Sequence, residues 1–487
     1  MKVEKLLENI TYSLVQGSIE EEVTDIIYDS RKVVPGCAFV CIKGSKIDSH
    51  SLISEVVRKG VRVIFVEKTV YVNEDVTVIR TENSRRAMAL VTATLFDYPS
   101  KKMCMIGITG TKGKTTTAFM IKEMLEKNNL KTGIIGTIGA FIGEKKIITH
   151  NTTPESYELV TIFSEMVKEG CTHCVMEVSS QGLKQKRVEG IQFDIGIFTN
   201  FSEDHIGPLE HATMDEYLYC KSLLFKQSKL GIINIDDSAH EELISNTNIE
   251  FLTYGKTKKA DFYFGKPKFL MKTDRLGIAY NVNGKIKEHV ELGMPGEFNI
   301  YNSLATLAVS YTLKLDIKKT LESLLDVSVR GRVEMVPISK DYHVIIDFAH
   351  NEEEVNSLFT MVKEYNAKRL ICVYGSGGNR SKVRRYSIGE LCGRVADLSI
   401  LCADNPRDEE VEDINKDIIV GINRSNGKYI EIPDREKAIY YSLDHAQKGD
   451  LILYLGKGHE DYQEKNGIKT HFSEREVMEK YKNEKLK

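Results

Sequence analysis

The sequence lacks the features that mark secreted and membrane proteins. Its 487 residues contain no run near the roughly 20 apolar residues of a membrane span, and its amino terminus lacks the apolar stretch of a signal peptide. It has no repeats and no low-complexity tract. The net charge is −3, so no strong field draws the chain to nucleic acid or to an anionic membrane. We therefore expect a cytoplasmic, monomeric protein whose partners are small molecules.

The cysteines argue against two kinds of structure, a disulfide framework and a zinc site. The nine of them are scattered and odd in number, which does not suit a disulfide framework. A single C-x-x-C motif, Cys171–Cys174, has no second pair with which to complete a zinc site. Because this motif runs into an apolar segment, we expect buried, reduced thiols there.

The length predicts roughly three or four domains. Strands alternating with helices favour an α/β class with mostly parallel sheets. We predict an N-terminal α/β domain at 1–100, a central P-loop, doubly wound domain at 101–331 and a Rossmann-like domain at 332–487, with sites in the clefts between them. The expected core strands are 63–66, 103–108, 132–138, 173–178, 193–200, 343–347, 370–375, 398–403 and 450–456. The expected helices include 84–96, 217–225 and 352–365.

A glycine-rich segment follows the first central strand: Gly107-Ile-Thr-Gly-Thr-Lys-Gly-Lys-Thr-Thr-Thr117. A strand leading in and a helix leading out are typical of a phosphate loop, where free N–H groups and the positive helix end face an anion. Lys114 would reach the β/γ-phosphates and Thr115 would hold Mg²⁺. The spacing departs from G-x-x-x-x-G-K-[ST], because Ile108 stands where that pattern has glycine. A structural turn is the alternative interpretation.

Further polar motifs follow the loop along the chain. They are Asn151-Thr-Thr-Pro-Glu-Ser156, Met176-Glu-Val-Ser-Ser180, Thr199-Asn-Phe-Ser-Glu-Asp-His205, Tyr219-Cys-Lys-Ser-Leu-Leu-Phe225, Gly296-Glu-Phe-Asn-Ile-Tyr-Asn302, Gly331-Arg332, Asp347-Phe-Ala-His350, Asp404-Asn-Pro-Arg407 and Gly456-Lys-Gly-His-Glu460. Together, and in this order, they resemble the Mur ligase family. The resemblance runs from about Asp29 to Glu460 and is strongest for the branch that adds the third residue of the peptidoglycan stem peptide.

The resemblance implies an ATP-dependent, Mg²⁺-requiring ligase that joins meso-diaminopimelate to UDP-N-acetylmuramoyl-L-alanyl-D-glutamate through an acyl phosphate. The positions that match the family's ATP contacts are Gly110, Thr111, Lys112, Gly113, Lys114, Thr115, Thr116, Asn302, Arg332, Asp347 and His350. Those that match its contacts to the UDP-muramoyl dipeptide are Tyr28, Ser30, Ser45, Lys46, Ile47, Asn151, Thr152, Thr153, Ser179, Gln185 and Arg187. Without the resemblance, many of these residues are only polar turns.

The resemblance also implies catalytic roles for Lys114, Glu177, His205 and Lys221, and metal binding by Thr115, Glu177, His205 and Lys221. Glu177 ends an expected buried strand, where a carboxylate needs a partner. Lys221 lies in an apolar stretch, where burial would lower its pKa. In the family this amine becomes a carbamate, an anionic oxygen ligand that suits Mg²⁺. The alternatives are a helix cap or ion pair for Glu177, an ordinary histidine, and a lysine that snorkels to water.

The resemblance also extends to the site of the incoming amino acid. Positions matching its site are Arg380, Asp404, Asn405, Pro406, Arg407, Gly456 and Glu460. The Asp-Asn-Pro-Arg form accompanies meso-diaminopimelate in the family, and its extra carboxylate suits a guanidinium group. Lysine lacks that carboxylate and is the alternative substrate. A related ligase, such as folylpolyglutamate synthetase, and a non-catalytic ATP-binding regulator are the other hypotheses.

Overall fold

The computed structural model describes residues 1–44, 47–72, 75–204, 206–207, 210–272 and 275–485. Its contacts group the chain into two units: Met1–Tyr263 with Leu304–Thr320, and Phe264–Ser303 with Leu321–Lys487. Three regions with their own sheets confirm the expected α/β class. Over the described ranges, no helix combines the length and the apolarity needed to cross a bilayer.

The first sheet lies at the start of the first unit. Its strands run in the order β1-β5-β4-β3-β2, with β1 antiparallel and the others parallel. Alternate residues of β4 pack into two apolar clusters, which explains its uninterrupted apolar sequence. The elements are α1 (Val3–Leu6), β1 (Tyr12–Gln16), β2 (Asp25–Ile27), β3 (Cys37–Val40), α2 (Ile53–Arg58), β4 (Val63–Val66), β5 (Thr77–Thr81) and α3 (Ser84–Leu95), with 3₁₀ turns at Ser49–Leu52 and Pro99–Lys102.

The central sheet of the same unit has the order β14-β13-β12-β11-β6-β10-β7-β8-β9. Strands from β13 to β7 are parallel, whereas β8 and β9 are antiparallel additions. Because β11, β6 and β10 are parallel neighbours, their carboxyl ends meet at one edge. The elements are β6 (Cys104–Thr109), α4 (Lys114–Lys127), β7 (Thr132–Gly136), β8 (Gly139–Ile142), β9 (Lys145–Ile147), α5 (Ser156–Lys168), β10 (His173–Glu177), α6 (Ser180–Lys184), β11 (Phe193–Phe198), α7 (Met214–Lys226), β12 (Ser228–Asn234), α8 (His240–Ser245), β13 (Glu250–Gly255) and β14 (Phe262–Phe264).

The second unit contains an antiparallel meander, β15-β16-β17, and a sheet of order β18-β19-β23-β20-β21-β22 that is parallel from β19 to β22. Two apolar clusters cover the faces of that sheet. The remaining elements are β15 (Lys268–Met271), β16 (Leu276–Gly284), β17 (Glu288–Leu292), α9 (Glu297–Thr312), α10 (Ile317–Asp326), β18 (Glu334–Met335), β19 (His343–Asp347), α11 (Glu352–Lys363), β20 (Arg369–Tyr374), α12 (Lys382–Val395), β21 (Leu398–Leu401), α13 (Val411–Arg424), β22 (Tyr429–Glu431), α14 (Arg435–Asp444), β23 (Asp450–Leu455), β24 (Tyr462–Lys465), β25 (Ile468–His471) and α15 (Glu474–Lys485).

The predicted core strands are confirmed to within two residues at each end. The antiparallel strands β15, β16 and β17 were not predicted. Strands β15 and β17 are short and carry charged residues, whereas β16 has no charged residue and its first half is apolar and buried. All nine cysteines are free thiols, and both members of the C-x-x-C motif are buried. The bounds of the three predicted domains, 1–100, 101–331 and 332–487, stay predictions.

Candidate active site

The phosphate loop connects β6 to α4, which begins at Lys114. Glycine is required at Gly110, where φ is +147° and an added Cβ would fall 2.0 Å from Thr199 Oγ1. Gly113, with φ +81°, makes the turn into the helix. The N–H groups at the start of a helix point outward along its axis, which is the geometry that binds an anion.

Hydrogen bonds connect the phosphate loop to the residues that directly follow β11. Lys112 N donates to Asn200 Oδ1 at 2.8 Å, and Thr199 Oγ1 donates to Lys112 O at 2.6 Å. Thr111 N donates to Asn200 O at 2.8 Å, and Thr116 is buried in the first turn of α4. These contacts hold the loop in one shape.

Two lysines converge on one carbonyl of this loop. Lys114 Nζ donates to Gly110 O at 2.8 Å and to Thr111 O at 2.9 Å, and Lys221 Nζ donates to the same Gly110 O at 2.8 Å. The expected burial of Lys221 is confirmed, since it is only 1% exposed. Burial, and then the charge of Lys114, lower the pKa of Lys221 well below its ordinary value, against the opposing charge of Asp204. The site therefore favours the neutral, nucleophilic amine.

Tyr217 completes this arrangement and was missed by the sequence analysis. Its ring centroid lies 4.2 Å from Lys221 Nζ, and its hydroxyl lies 3.3 Å from Thr111 Oγ1. Burial raises the pKa of Tyr217 to about 12. The signal available in the sequence was its position four residues before Lys221 on one helix, which places both side chains on the same face of α7.

Glu177 lies at the carboxyl end of β10 and is 2% exposed. Its Oε1 accepts from Thr115 Oγ1 at 2.9 Å and from Thr137 N at 2.9 Å, and its Oε2 accepts from Thr137 Oγ1 at 3.2 Å. Thr137 was not predicted as a site residue. A buried carboxylate next to a threonine hydroxyl at the phosphate loop is an oxygen set that fits Mg²⁺.

His205, the other predicted metal ligand, lies outside the described residues. Within the described ranges, no three His, Cys, Asp or Glu side chains form a ready-made metal cluster. A magnesium ion at Thr115 and Glu177 would therefore need phosphate or water oxygens to complete its coordination, as this ion commonly does.

The predicted dipeptide contacts partly meet beside Glu177. Thr153 Oγ1 donates to Glu177 O and accepts from Ser179 N, both at 2.9 Å. Thr152 Oγ1 lies 3.0 Å from Thr137 Oγ1, while Asn151 is exposed. The segment from Asn151 to Thr153 thus borders the same edge of the sheet as the phosphate loop.

Arg187 is held in place on three sides. Nη1 donates to Thr153 O and Nη2 to Gln185 Oε1, each at 2.8 Å, and Nε lies 3.1 Å from Glu155 Oε1. Glu155 also pairs with Arg85, at 2.6 Å between Oε2 and Nη1. Burial, followed by the charge of Arg85, lowers the pKa of Arg187 against the opposing charge of Glu155. Two guanidinium groups around one carboxylate still leave a net positive charge, which suits a substrate carboxylate.

Of the residues near the first sheet that were predicted to contact the nucleotide, the structure describes three, and each has a different environment. Tyr28 donates its hydroxyl to Glu158 Oε1 at 2.5 Å, and Ser30 O accepts from Lys59 Nζ at 2.8 Å. Ile47 is 62% exposed. Ser45 and Lys46 lie outside the described residues.

In the second unit, three predicted ATP contacts surround Phe348. Its ring centroid lies 5.1 Å from the Arg332 guanidinium and 5.0 Å from the His350 ring. Asp347 accepts from two backbone N–H groups, of Val333 and Ala349, each at 2.7 Å, and burial raises its pKa. The fourth predicted contact, Asn302, is buried and donates to Asn299 Oδ1 at 2.9 Å.

The predicted amino-acid contacts lie on loops at the carboxyl ends of β20, β21 and β23. Arg380 and Arg407 flank Gly377: a Cβ added there would lie 3.2 Å from Arg407 Nη1 and 3.6 Å from Arg380 Cγ. Arg407 Nη1 donates to Gly378 O at 2.7 Å, and its Nε lies 3.4 Å from Glu464 Oε2. The Arg407 guanidinium group and the stem of the Arg380 side chain therefore lie beside the same glycine.

The neighbouring loops meet across the Asn-Pro turn. Asn405 Nδ2 donates to Glu460 Oε2 at 2.8 Å. An added Cβ on Gly456, which has φ +101°, would fall 2.4 Å from Asp404 Oδ2. Pro406 follows as the turn residue. Lys457, fully buried between Asn405 and Glu460, was quoted within a motif but not predicted as a site residue.

Comparison with known proteins shows that three segments of the chain each match a family model. Residues 22–100 match the Mur ligase family, catalytic domain; residues 108–310 match the Mur ligase middle domain; and residues 331–458 match the Mur ligase, glutamate ligase domain. The chain belongs to the Mur ligase family, whose members form an amide bond.

The relatives agree in name. A UDP-N-acetylmuramoyl-L-alanyl-D-glutamate–2,6-diaminopimelate ligase of Clostridium perfringens is 40% identical over 485 residues, 98% of this chain and 99% of that protein. A protein of the same name from Caldanaerobacter subterraneus subsp. tengcongensis is 39% identical over 480 residues, 98% of each. A solved structure of a ligase of this name superposes with a TM-score of 0.74 at 25% identity, covering 100% of this chain and 99% of that one.

Proposed function

We propose that this protein is an ATP-dependent ligase that adds meso-diaminopimelate to UDP-N-acetylmuramoyl-L-alanyl-D-glutamate in peptidoglycan precursor synthesis. The observation that carries the proposal is the cluster around the phosphate loop. There Lys114 and Lys221 share the Gly110 carbonyl, and Thr115 contacts the buried Glu177. The names of full-length relatives support the substrate pair.

In the first step, a D-glutamyl carboxylate oxygen attacks the γ-phosphorus of ATP, and ADP leaves. The helix start and Lys114 stabilise the charge on the phosphates. Bound Mg²⁺, held by Thr115, Glu177, His205 and Lys221, would supply further charge neutralisation. Arg187 would hold the substrate through one of its carboxylates.

Lys221 would act as a carbamate. Its neutral amine attacks CO₂, an N–C bond forms and one proton is released, so a buried amine becomes an anionic oxygen ligand. The lowered pKa of Lys221 supports this step, because only the neutral amine is nucleophilic.

In the second step, the amine of the incoming amino acid attacks the acyl carbon, phosphate leaves and the nitrogen loses a proton. Glu460 would bind an ammonium group, and Arg380 with Arg407 would bind the distal carboxylate of diaminopimelate. The Arg407 guanidinium group beside Gly377, with the stem of Arg380 next to it, supports diaminopimelate over lysine. The proposed setting is a monomeric enzyme in the cytoplasm.

The test is phosphate release from ATP with the UDP-muramoyl dipeptide present and the amino acid varied. We expect release with meso-diaminopimelate and little with lysine. Release with lysine alone would keep the ligase but overturn the substrate. Release with neither would favour the regulator, and release with a folate substrate would favour the folylpolyglutamate-type ligase.

Arg407→Ala tests the specificity directly. We expect the preference for meso-diaminopimelate over lysine, measured as the ratio of kcat/KM values, to fall roughly 10²-fold, because a charged partner of the distal carboxylate is lost. Arg424→Ala, which removes an exposed guanidinium on α13, is the control. An unchanged ratio in Arg407→Ala would remove Arg407 from this role.

A further inference from the structure

Lys457 is a buried cation in the loop that follows β23. Its side chain is 0% exposed, and its Nζ lies 3.1 Å from Glu460 Oε2 and 3.2 Å from Asn405 Oδ1. The Tyr462 ring centroid lies 5.4 Å from the same nitrogen. A buried ammonium needs such partners, since an unpaired charge is costly to remove from water.

These contacts form a closed triangle. Asn405 Oδ1 accepts from Lys457 Nζ and from Glu464 N, so its Nδ2 is directed to Glu460 Oε2 at 2.8 Å. Glu460 Oε2 thus receives one charged and one neutral donor, and Oε1 lies 3.3 Å from the Tyr462 hydroxyl. Lys457 therefore contacts both the amide oxygen of Asn405 and the carboxylate of Glu460.

The two charged side chains, Glu460 and Lys457, differ in their exposure to solvent. The Glu460 side chain is 17% exposed, whereas Lys457 has no exposed surface. A substrate ammonium can therefore reach the carboxylate but not the lysine. Any effect of Lys457 on the amino acid must pass through Glu460 and Asn405.

We propose that Lys457 is a positioning residue that holds Glu460 and Asn405 in the geometry that receives the ammonium group of the incoming amino acid. This rests on the proposed function, in which Glu460 binds that group. Without Lys457, the carboxylate loses its buried counter-ion and turns toward water. Affinity for the amino acid then falls, while the phosphate loop in the other unit is unaffected.

The experiment is a double-mutant cycle of Lys457→Met and Glu460→Gln in the full chain, with KM for meso-diaminopimelate and for ATP as readouts. We expect Lys457→Met to raise KM for meso-diaminopimelate at least about tenfold, with KM for ATP changed less than about twofold. In the Glu460→Gln background, the same change should add less than about twofold, because its target is gone.

The control is Lys469→Ala, which removes the other ammonium from the Tyr462 ring, 4.0 Å from its centroid, without a contact to Glu460 or Asn405. An unchanged KM for the amino acid in Lys457→Met, or full additivity in the double variant, would overturn the proposal. If Lys457→Met does not fold, the double variant, which has no unpaired carboxylate, is compared with Glu460→Gln, and a large further loss overturns it. If the wild-type enzyme turns over with neither meso-diaminopimelate nor lysine, that result refutes the proposed function and not the role of Lys457.

Discussion

Each of the two units contains a lysine with almost no exposed surface, Lys221 in the first and Lys457 in the second, and these two lysines have different partners. Lys221 is 1% exposed and donates to a carbonyl, Gly110 O. Lys457 is 0% exposed and pairs with the carboxylate of Glu460 and the amide of Asn405. Burial alone therefore does not determine what a lysine does.

The difference lies in whether a buried amine has a counter-ion. Burial lowers the pKa of Lys221, and the charge of the nearby Lys114 lowers it further, while a carbonyl offers only part of a charge in compensation. A carboxylate at 3.1 Å stabilises the cation of Lys457 and ties two loops together. We infer that the first site is built for reactivity and the second for position.

The largest expected effect is on catalysis at Lys221. We expect Lys221→Ala to lower the rate of phosphate release on the order of 10²–10³-fold, because an anionic ligand beside the phosphates is lost. Small carboxylates added to the assay should restore part of the rate. Lys226→Ala, an exposed position at the end of the same helix, is the control. Full activity of Lys221→Ala would end the distinction between the two lysines.

The next effect is on stability at Lys457. Lys457→Met should lower the free energy of unfolding by about 3 kcal/mol, because Glu460 loses its buried partner. Urea unfolding measures it. The loss should shrink in the Glu460→Gln background, where no carboxylate is left unpaired. An equal loss in both backgrounds would mean that the methionine simply packs badly.

Much of this contrast could be predicted from the sequence, but not all of it. Lys221 stood out because apolar residues surround it on one helix, a local signal that the chain itself carries. The ends of β6 and β10 were predicted as well, since buried parallel strands read as continuous apolar runs.

The partners could not be predicted in the same way. Thr137 reaches Glu177 across 40 residues, and Lys457 reaches Asn405 across 52. No spacing rule covers such contacts, because they depend on which strands become neighbours. Lys457 was quoted only as part of the Gly456–Glu460 motif, and its burial depends on contacts with residues that are distant in sequence. The roles of the site residues stay predictions.

Replacing Lys221 by methionine should change the free energy of unfolding by less than Lys457→Met does, and in the opposite direction. Lys221→Met should raise the free energy of unfolding by roughly 1–2 kcal/mol, because an amine without a counter-ion no longer has to be buried. The folded pKa of Lys221 is depressed below its ordinary 10.5, so the unfolded chain binds the extra proton between those two values. The gain should therefore be largest at low pH and shrink as the pH rises toward 10.5. A destabilised Lys221→Met at every pH would contradict this.

The smallest signal is a single resonance that should distinguish the two lysines chemically. With ¹³C-labelled bicarbonate, the wild-type protein should show one slowly exchanging carbamate signal by ¹³C NMR. Lys221→Ala should lack this signal and Lys457→Met should keep it. Because the carbamate forms from the neutral amine, the signal should be present above the lowered pKa of Lys221 and disappear as the pH falls through it. A signal that survives in Lys221→Ala, or one lost in Lys457→Met, would show that burial without a counter-ion is not what makes a lysine of this protein reactive.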